Sequence, residues 1–218
     1  MKLILGALVI AVAVTACSAT PAPEAPRRTE TSTTVPEPDY DSDEWWVWSD
    51  YRSFAKELSS KHEDAALKCT PDSYTFAASL LQHAVNSTEA QLAQLPVVHR
   101  LQVYEMRTTN SALGVFDEAG ALRLLLASSR ELVPPTDVKE IKISGEQATA
   151  TAEVPGHAPV QVSFAHVPNA WLIDVKALFD ALSATVELNG LTADQYVEKK
   201  LAERHGGRAA ELRKPMKA

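Results

Sequence analysis

Near residue 138 the spacing of apolar side chains changes, and that change constrains the fold of this chain more than any other feature. Before it, apolar residues recur at intervals of three and four. Tyr74, Ala77, Ala78, Leu81 and Val85 mark one helical face, opened by Thr70 as N-cap with Pro71 at the first helical position. Asp50 to Lys68 carries Phe54, Leu58 and Leu67 among polar residues, a modest helical face. Asn86 with Glu89 reads as a capping arrangement that opens a stretch to about Arg107, with Leu92, Leu95, Val98, Leu101 and Met106 as its apolar positions. Pro96 should kink or divide that stretch, because its ring removes a backbone donor. Residues 119–132 add a leucine-rich helix closed by Pro134-Pro135.

From Val138 the period is two. Val138 to Ser144 is a strand ending in a Gly145 turn, and residues 147–154 put Ala148, Ala150, Ala152 and Val154 on one face. Thr149, Thr151 and Glu153 take the other face. Pro155-Gly156 turns into a strand carrying Val160, Val162 and Phe164, and Pro168-Asn169 turns into Trp171 to Val175. Short turns of this kind make an antiparallel meander. A last helix begins at Thr192, whose hydroxyl and Gln195 fit a capping box, and ends at Gly206-Gly207. Residues 206–218 read as a basic flexible tail. The expected fold class is α+β over residues 45–205: N-terminal helices, a curved four-stranded antiparallel meander and a C-terminal helix.

Two segments precede this domain. Lys2 is followed by an uncharged, mostly apolar run from Leu3 to Val14, then Thr15-Ala16-Cys17. Charge, apolar core and small residues in that order are a secretory signal over residues 1–16. A transmembrane anchor needs about 20 apolar residues, more than this run supplies. A cysteine at the cut point resembles the lipobox of bacterial lipoproteins. An ordinary secreted chain, cut after Ala16 with Cys17 left as a free thiol, is the alternative. The resemblance implies that Cys17 is acylated and becomes the first residue, so that the protein is extracytoplasmic and lipid-anchored to a bacterial membrane. Two or three acyl chains, as the resemblance implies, give stable anchoring where one is marginal. Ser18, where an aspartate would favour inner-membrane retention, leans toward an outer membrane where the cell has one.

Residues 17–44 repeat Pro, Thr, Ser and Glu with almost no apolar side chains, too little burial to offset ordering entropy, and read as a disordered tether. Loss of residues 1–16 removes one base and moves the net charge from −7 to −8. No basic stripe with interleaved aromatics exists, so no nucleic-acid partner is expected. With Cys17 acylated, Cys69 is the remaining thiol; it pairs between molecules or stays buried and inert, the second being the commoner fate. Trp45, Trp46 and Trp48 arrive within four residues. They either begin the fold by packing on the helices, or stack on a sugar or a docking partner, or sit at a membrane interface, the last opposed for an anionic membrane by the acids around them.

Helices followed by a meander that closes on Trp171-Leu172-Ile173-Asp174, with Gly145-Glu146-Gln147-Ala148 at an earlier turn, resemble the nuclear transport factor 2-like superfamily. The resemblance covers roughly residues 70–176; the helical material before and after it departs from the pattern. It implies a cone-like fold with a pocket between the sheet and the helices. Tyr74, Tyr104, Phe164, His166 and Trp171 are the residues expected to line that pocket. His166 shares strand parity with Phe164, and serves either as a hydrogen-bonded core or rim residue or as a proton carrier.

Positive signs of catalysis are missing. The six histidines are scattered without a His-Glu-x-x-His or Cys-x-x-Cys arrangement, so no metal and no cofactor is expected. Neither a Gly-x-Ser-x-Gly elbow nor a phosphate-cradling loop occurs. The leading expectation is a non-catalytic domain that binds a small apolar ligand or an envelope protein. Two alternatives stand beside it: a small-pocket isomerase- or dehydratase-like enzyme, and an envelope scaffold docking through Trp45 to Trp48.

Overall fold

The computed structural model describes residues 39–60, 63–109, 116–129, 137–154 and 157–216. Cys17, the signal segment and the tether as far as residue 38 lie outside the described residues. Helix α1 spans Asp43–Ser59, and a 3-10 turn covers Glu63–Lys68. Helices α2 (Pro71–Asn86), α3 (Glu89–Leu92), α4 (Val97–Arg107) and α5 (Glu118–Ser128) follow. Strands β1 (Val138–Ser144), β2 (Gln147–Ala152), β3 (Val160–Val167) and β4 (Ala170–Ile173) form one antiparallel sheet in sequential order. Helices α6 (Val175–Ala184), α7 (Ala193–His205) and α8 (Ala209–Leu212) complete the chain. The protein is α+β, as the change of period requires.

Alternation sets the sheet's two faces. Ala148, Ala150, Ala152, Val160, Val162, Phe164, Trp171 and Ile173 are all buried, while Gln147 and Gln161 are exposed. Helix α1 packs against β1 and β4, and α6 packs against β3, so helices cover the apolar face. The β4 edge is closed by its surroundings: Thr70 N–H donates to Ile173 O at 2.9 Å, and Cys69 bridges Ile173. At the opposite edge, β1 carries Lys139, Glu140 and Lys142 and a register shift between Lys139 and Lys142, with Glu140 at φ 54°. Charge and a bulge on an exposed edge discourage pairing with another chain.

Local chemistry explains most boundaries. Thr192 and Gln195 form the expected capping box, and Gly206 ends α7 at φ 53°, a left-handed conformation that suits glycine. Asp174 caps α6 by accepting from Ala177 N–H at 2.9 Å. Pro96 divides its stretch into α3 and α4 and stands at the N-cap of α4. The capping box there is formed by Thr88 and Gln91, not by Asn86 and Glu89. Asn86 is still inside α2 and bonds Gln82, whereas Thr88 has the extended backbone that an N-cap requires. The first helix begins earlier than apolar spacing alone indicates, because Ser42 accepts from Trp45 N–H at 3.2 Å. A flexible tail from residue 206 is corrected: Gly206–Leu212 is helical, and Leu212 is buried with its carbonyl accepting from Arg107 at 2.8 Å.

Helix α4 lies inside the helical layer, and every residue from Val98 to Arg107 is buried. Helices α2, α5, α6 and α7 pack around it. Most of its polar side chains find partners on those elements or on α8, which offsets much of the cost of burying them. Arg100 Nε, Gln102 Oε1 and the Tyr104 hydroxyl are buried without a hydrogen-bond partner among the described residues. Arg100 meets Asp194 at 2.7 Å, and Glu105 meets Arg204 at 3.3 Å and His205 at 3.2 Å. Gln102 Nε2 donates to Ser128 Oγ at 2.8 Å. Arg107 donates to the carbonyls of His83, Ala84, Ser87 and Leu212.

His99, also on α4, packs against the rings of Phe76 and Phe179, which also touch each other, with Nε2 3.1 Å from Asp180 Oδ1. Burial, the largest effect, holds its pKa below the usual 6.5; Asp180 opposes that shift and Lys176 adds to it. The unfolded chain therefore takes up a proton at His99 before the folded one does. The stability contributed is complete above pH 6.5 and is lost as pH falls from there through the lower folded value. Urea midpoints measured from about pH 7.5 to about pH 5.5 should fall further for the wild type than for His99→Gln, because of that proton uptake. Equal falls would show that His99 carries no such linkage.

Candidate functional site

Helix α1 turns Val47, Tyr51, Phe54, Ala55 and Leu58 inward, which leaves the three tryptophans in different surroundings. Trp48 is half-buried; its indole N–H donates to Asp137, and the Arg52 guanidinium lies 4.6 Å from its ring centre. Those contacts make Trp48 part of the scaffold. Trp45 is also half-buried, edge-on to Tyr40 at 5.4 Å and to Trp46 at 4.9 Å. Trp46 is 47% exposed, and Tyr40 beside this pair is exposed as well.

The β3–β4 hairpin approaches the same end of α1. Val167 pairs with Ala170 across the Pro168-Asn169 turn, and Asn169 takes φ 72°, a left-handed value that asparagine tolerates in hairpin turns. His166 and Trp171 are register partners with ring centres 4.8 Å apart. The backbone N–H of Trp171 donates to Asp50 Oδ2 at 2.8 Å, while Asp50 Oδ1 accepts from Lys68 Nζ at 3.3 Å. Asp50 is four residues after Trp46, so both lie on one side of α1. Clamping Trp171 to Asp50 therefore brings Trp46 beside the start of β4. Asp43, three residues before Trp46, comes to the same place.

The result is a groove of about 380 Å³, open on one side and lined by Asp43, Trp46, His166, Asn169, Ala170 and Trp171. That volume is at the small end of the range for ligand pockets, about 300–1,000 Å³. Trp46 forms an exposed indole wall, buried Trp171 forms the floor, and a carboxylate, an amide and an imidazole stand around them. His166 is on the parity of Phe164 but at the end of the sheet, where the helices no longer cover it and its side chain is exposed.

Thus His166 and Trp171, expected in a pocket, share a site with Trp46, expected in a docking patch. The other expected lining residues lie elsewhere. Phe164 is in the core, edge-on to Tyr51 at 6.2 Å. Tyr104 is fully buried on α4 with Arg107 over its ring at 5.5 Å. Tyr74 is half-buried and donates to Ala66 O at 2.9 Å. The buried face of the sheet near Phe164 is met by Tyr51 of α1, itself packed on Phe54, and no local pattern of the strands could reveal their positions. Asp43, Asn169 and Ala170 were missed by the sequence reading; the turn signal at Asn169 was the only trace of them.

Cys69 is free and buried, with Sγ donating to Ala65 O at 3.3 Å. Burial, aided by the Asp174 carboxylate, pushes its pKa up to about 12, so little thiolate exists at neutral pH. In the chain carrying Cys17→Ser, a thiol-specific chromophore should label one group in denaturant and essentially none in the native protein. Rapid native labelling would contradict the burial.

Among the described residues, no three His, Cys, Asp or Glu side chains are grouped to hold a metal ion. No described helix is long and apolar enough to cross a membrane. No family model, curated protein or solved structure matches this chain.

Proposed function

We propose that this chain is a membrane-anchored extracytoplasmic lipoprotein whose folded part is a non-catalytic binding domain, with the groove of Trp46, His166 and Trp171 as its site. The observation that carries the binding half is the convergence itself. Two aromatic groups from distant parts of the sequence meet in one open concavity ringed by polar side chains. A large exposed indole beside a polar rim is the surface chemistry of a recognition site rather than of a core. The anchoring half rests on the charge, apolar run and Ala16-Cys17 junction of the first seventeen residues. The nuclear transport factor 2-like resemblance implies a fold on which many binding domains are built, and such a fold hosts many functions, so the site and not the fold selects among them.

Two experiments test the two halves. Metabolic labelling with an acyl probe should mark the wild type and leave Cys17→Ser unmarked; equal labelling of both would remove the lipobox. Native mass spectrometry of the detergent-extracted protein should show a bound small molecule or protein on the wild type and lose it in Trp46→Ala. An identical bound species on both proteins would place the site elsewhere.

A further inference from the structure

We infer that the groove binds a neutral pyranose unit of a saccharide, with the sugar ring against Trp46 and its hydroxyls on Asp43, His166 and Asn169. The inference rests on the reading of the folded part as a binding domain and names the ligand class for that site. Four observations select this class.

The lining is mixed rather than apolar. A purely apolar ligand would strip water from Asp43, His166 and Asn169 without replacing the lost hydrogen bonds, a desolvation penalty that opposes binding. A hydroxylated ring replaces them, since a carboxylate accepts, an amide both donates and accepts, and a neutral imidazole does one at each nitrogen. The shape agrees as well. Apolar small molecules are held by pockets that bury most of their surface, whereas this groove is open on one side. An open groove suits one ring of a chain whose neighbours extend into solvent.

The aromatic component matches the same ligand. A pyranose has an edge of hydroxyls and a face of C–H groups, and the C–H face packs on the electron-rich face of an indole. Trp46 offers such a surface at 47% exposure, with Trp45 packed perpendicular to it at 4.9 Å. Charge then narrows the class. Asp39, Asp41, Asp43 and Glu44 cluster at the start of α1, and among the described residues no lysine or arginine lines the groove. Acidic sugars and phosphorylated ligands would be repelled, which favours uncharged saccharides over anionic ones.

The test uses the mature, detergent-solubilised full chain with maltotriose, cellotriose and tri-N-acetylchitotriose as probes, followed by calorimetry and ligand-observed saturation-transfer NMR. At least one trisaccharide should bind saturably, and Trp46→Ala should weaken it about tenfold or more, the loss of one aromatic contact of ~1.4 kcal/mol. His166→Ala should weaken it too, with both variants keeping the wild-type melting temperature because both side chains are exposed. Absence of saturable binding by all three sugars overturns the inference. So does equal binding by wild type and Trp46→Ala. If the sugars fail while native mass spectrometry shows a Trp46-dependent bound species of another class, the inference falls and the binding-domain reading stands. If that species is absent too, both fall.

Discussion

Arg107→Met is expected to destabilise the folded domain by at least ~3 kcal/mol, read as a lower urea midpoint and a melting temperature reduced by roughly 6–12 °C for a domain of this size. Arg107 is 5% exposed, and its guanidinium donates to four carbonyls: Ser87 at 2.6 Å, Leu212 at 2.8 Å, Ala84 at 2.9 Å and His83 at 3.2 Å. Three of these belong to the C-terminal end of α2, where the last carbonyls of a helix lack intrahelical partners. The fourth belongs to α8, so one side chain ties the end of the helical layer to the end of the chain. A cation at a helix C-terminus also opposes the helix dipole favourably. Burial lowers the Arg107 pKa, and the four carbonyls replace the hydration that burial removes. Methionine keeps much of the volume and removes every guanidinium donor; the His83 carbonyl keeps the Ser87 N–H at 3.1 Å, while those of Ala84, Ser87 and Leu212 lose the Arg107 bond. Arg107→Lys should recover less than half of the loss, because an ammonium group cannot span four acceptors in the guanidinium's planar geometry. Wild-type stability in Arg107→Met would contradict this account of α4.

Phe164→Ala should cost about 3–5 kcal/mol, the usual range for emptying an aromatic position in a core. Phe164 is 1% exposed, stands opposite Ala148 and Ile173 on the neighbouring strands, and packs edge-on to Tyr51 at 6.2 Å. Tyr51 belongs to α1, so the lost contacts join the sheet to the first helix. Trp46→Ala provides the contrast, since its exposed ring should change stability by less than about 0.5 kcal/mol. Chemical denaturation of the two variants therefore separates a scaffold aromatic from a site aromatic. A folded, wild-type-stable Phe164→Ala would mean that Phe164 borders space open to ligand, as the pocket reading of the sequence had it.

The strands were legible because each is a local pattern. Val138–Ser144 follows from alternation and the Gly145 turn, and Thr192 with Gln195 announces α7 within four residues. Helix α4 was much less legible. Its His99, Arg100, Gln102, Glu105 and Arg107 look like a solvated face, because periodicity describes one element at a time and cannot show that four other helices surround it. The groove was half legible. Trp46, His166 and Trp171 could be named as unusual residues, but the link that assembles them is Asp50 to Trp171, separated by 121 positions. Phe164 and Tyr104 were equally prominent aromatics, and only the packing of α1 and α4 distinguishes them from site residues.

Site-specific photo-crosslinking tests most directly whether the groove is the protein's binding site. With benzoylphenylalanine in place of Trp46, irradiation of intact cells should give a discrete adduct on the chain. The same residue in place of Phe116, an exposed aromatic just before the N-cap of α5, should give none. Adducts at position 116 with nothing at position 46 would contradict the central claim.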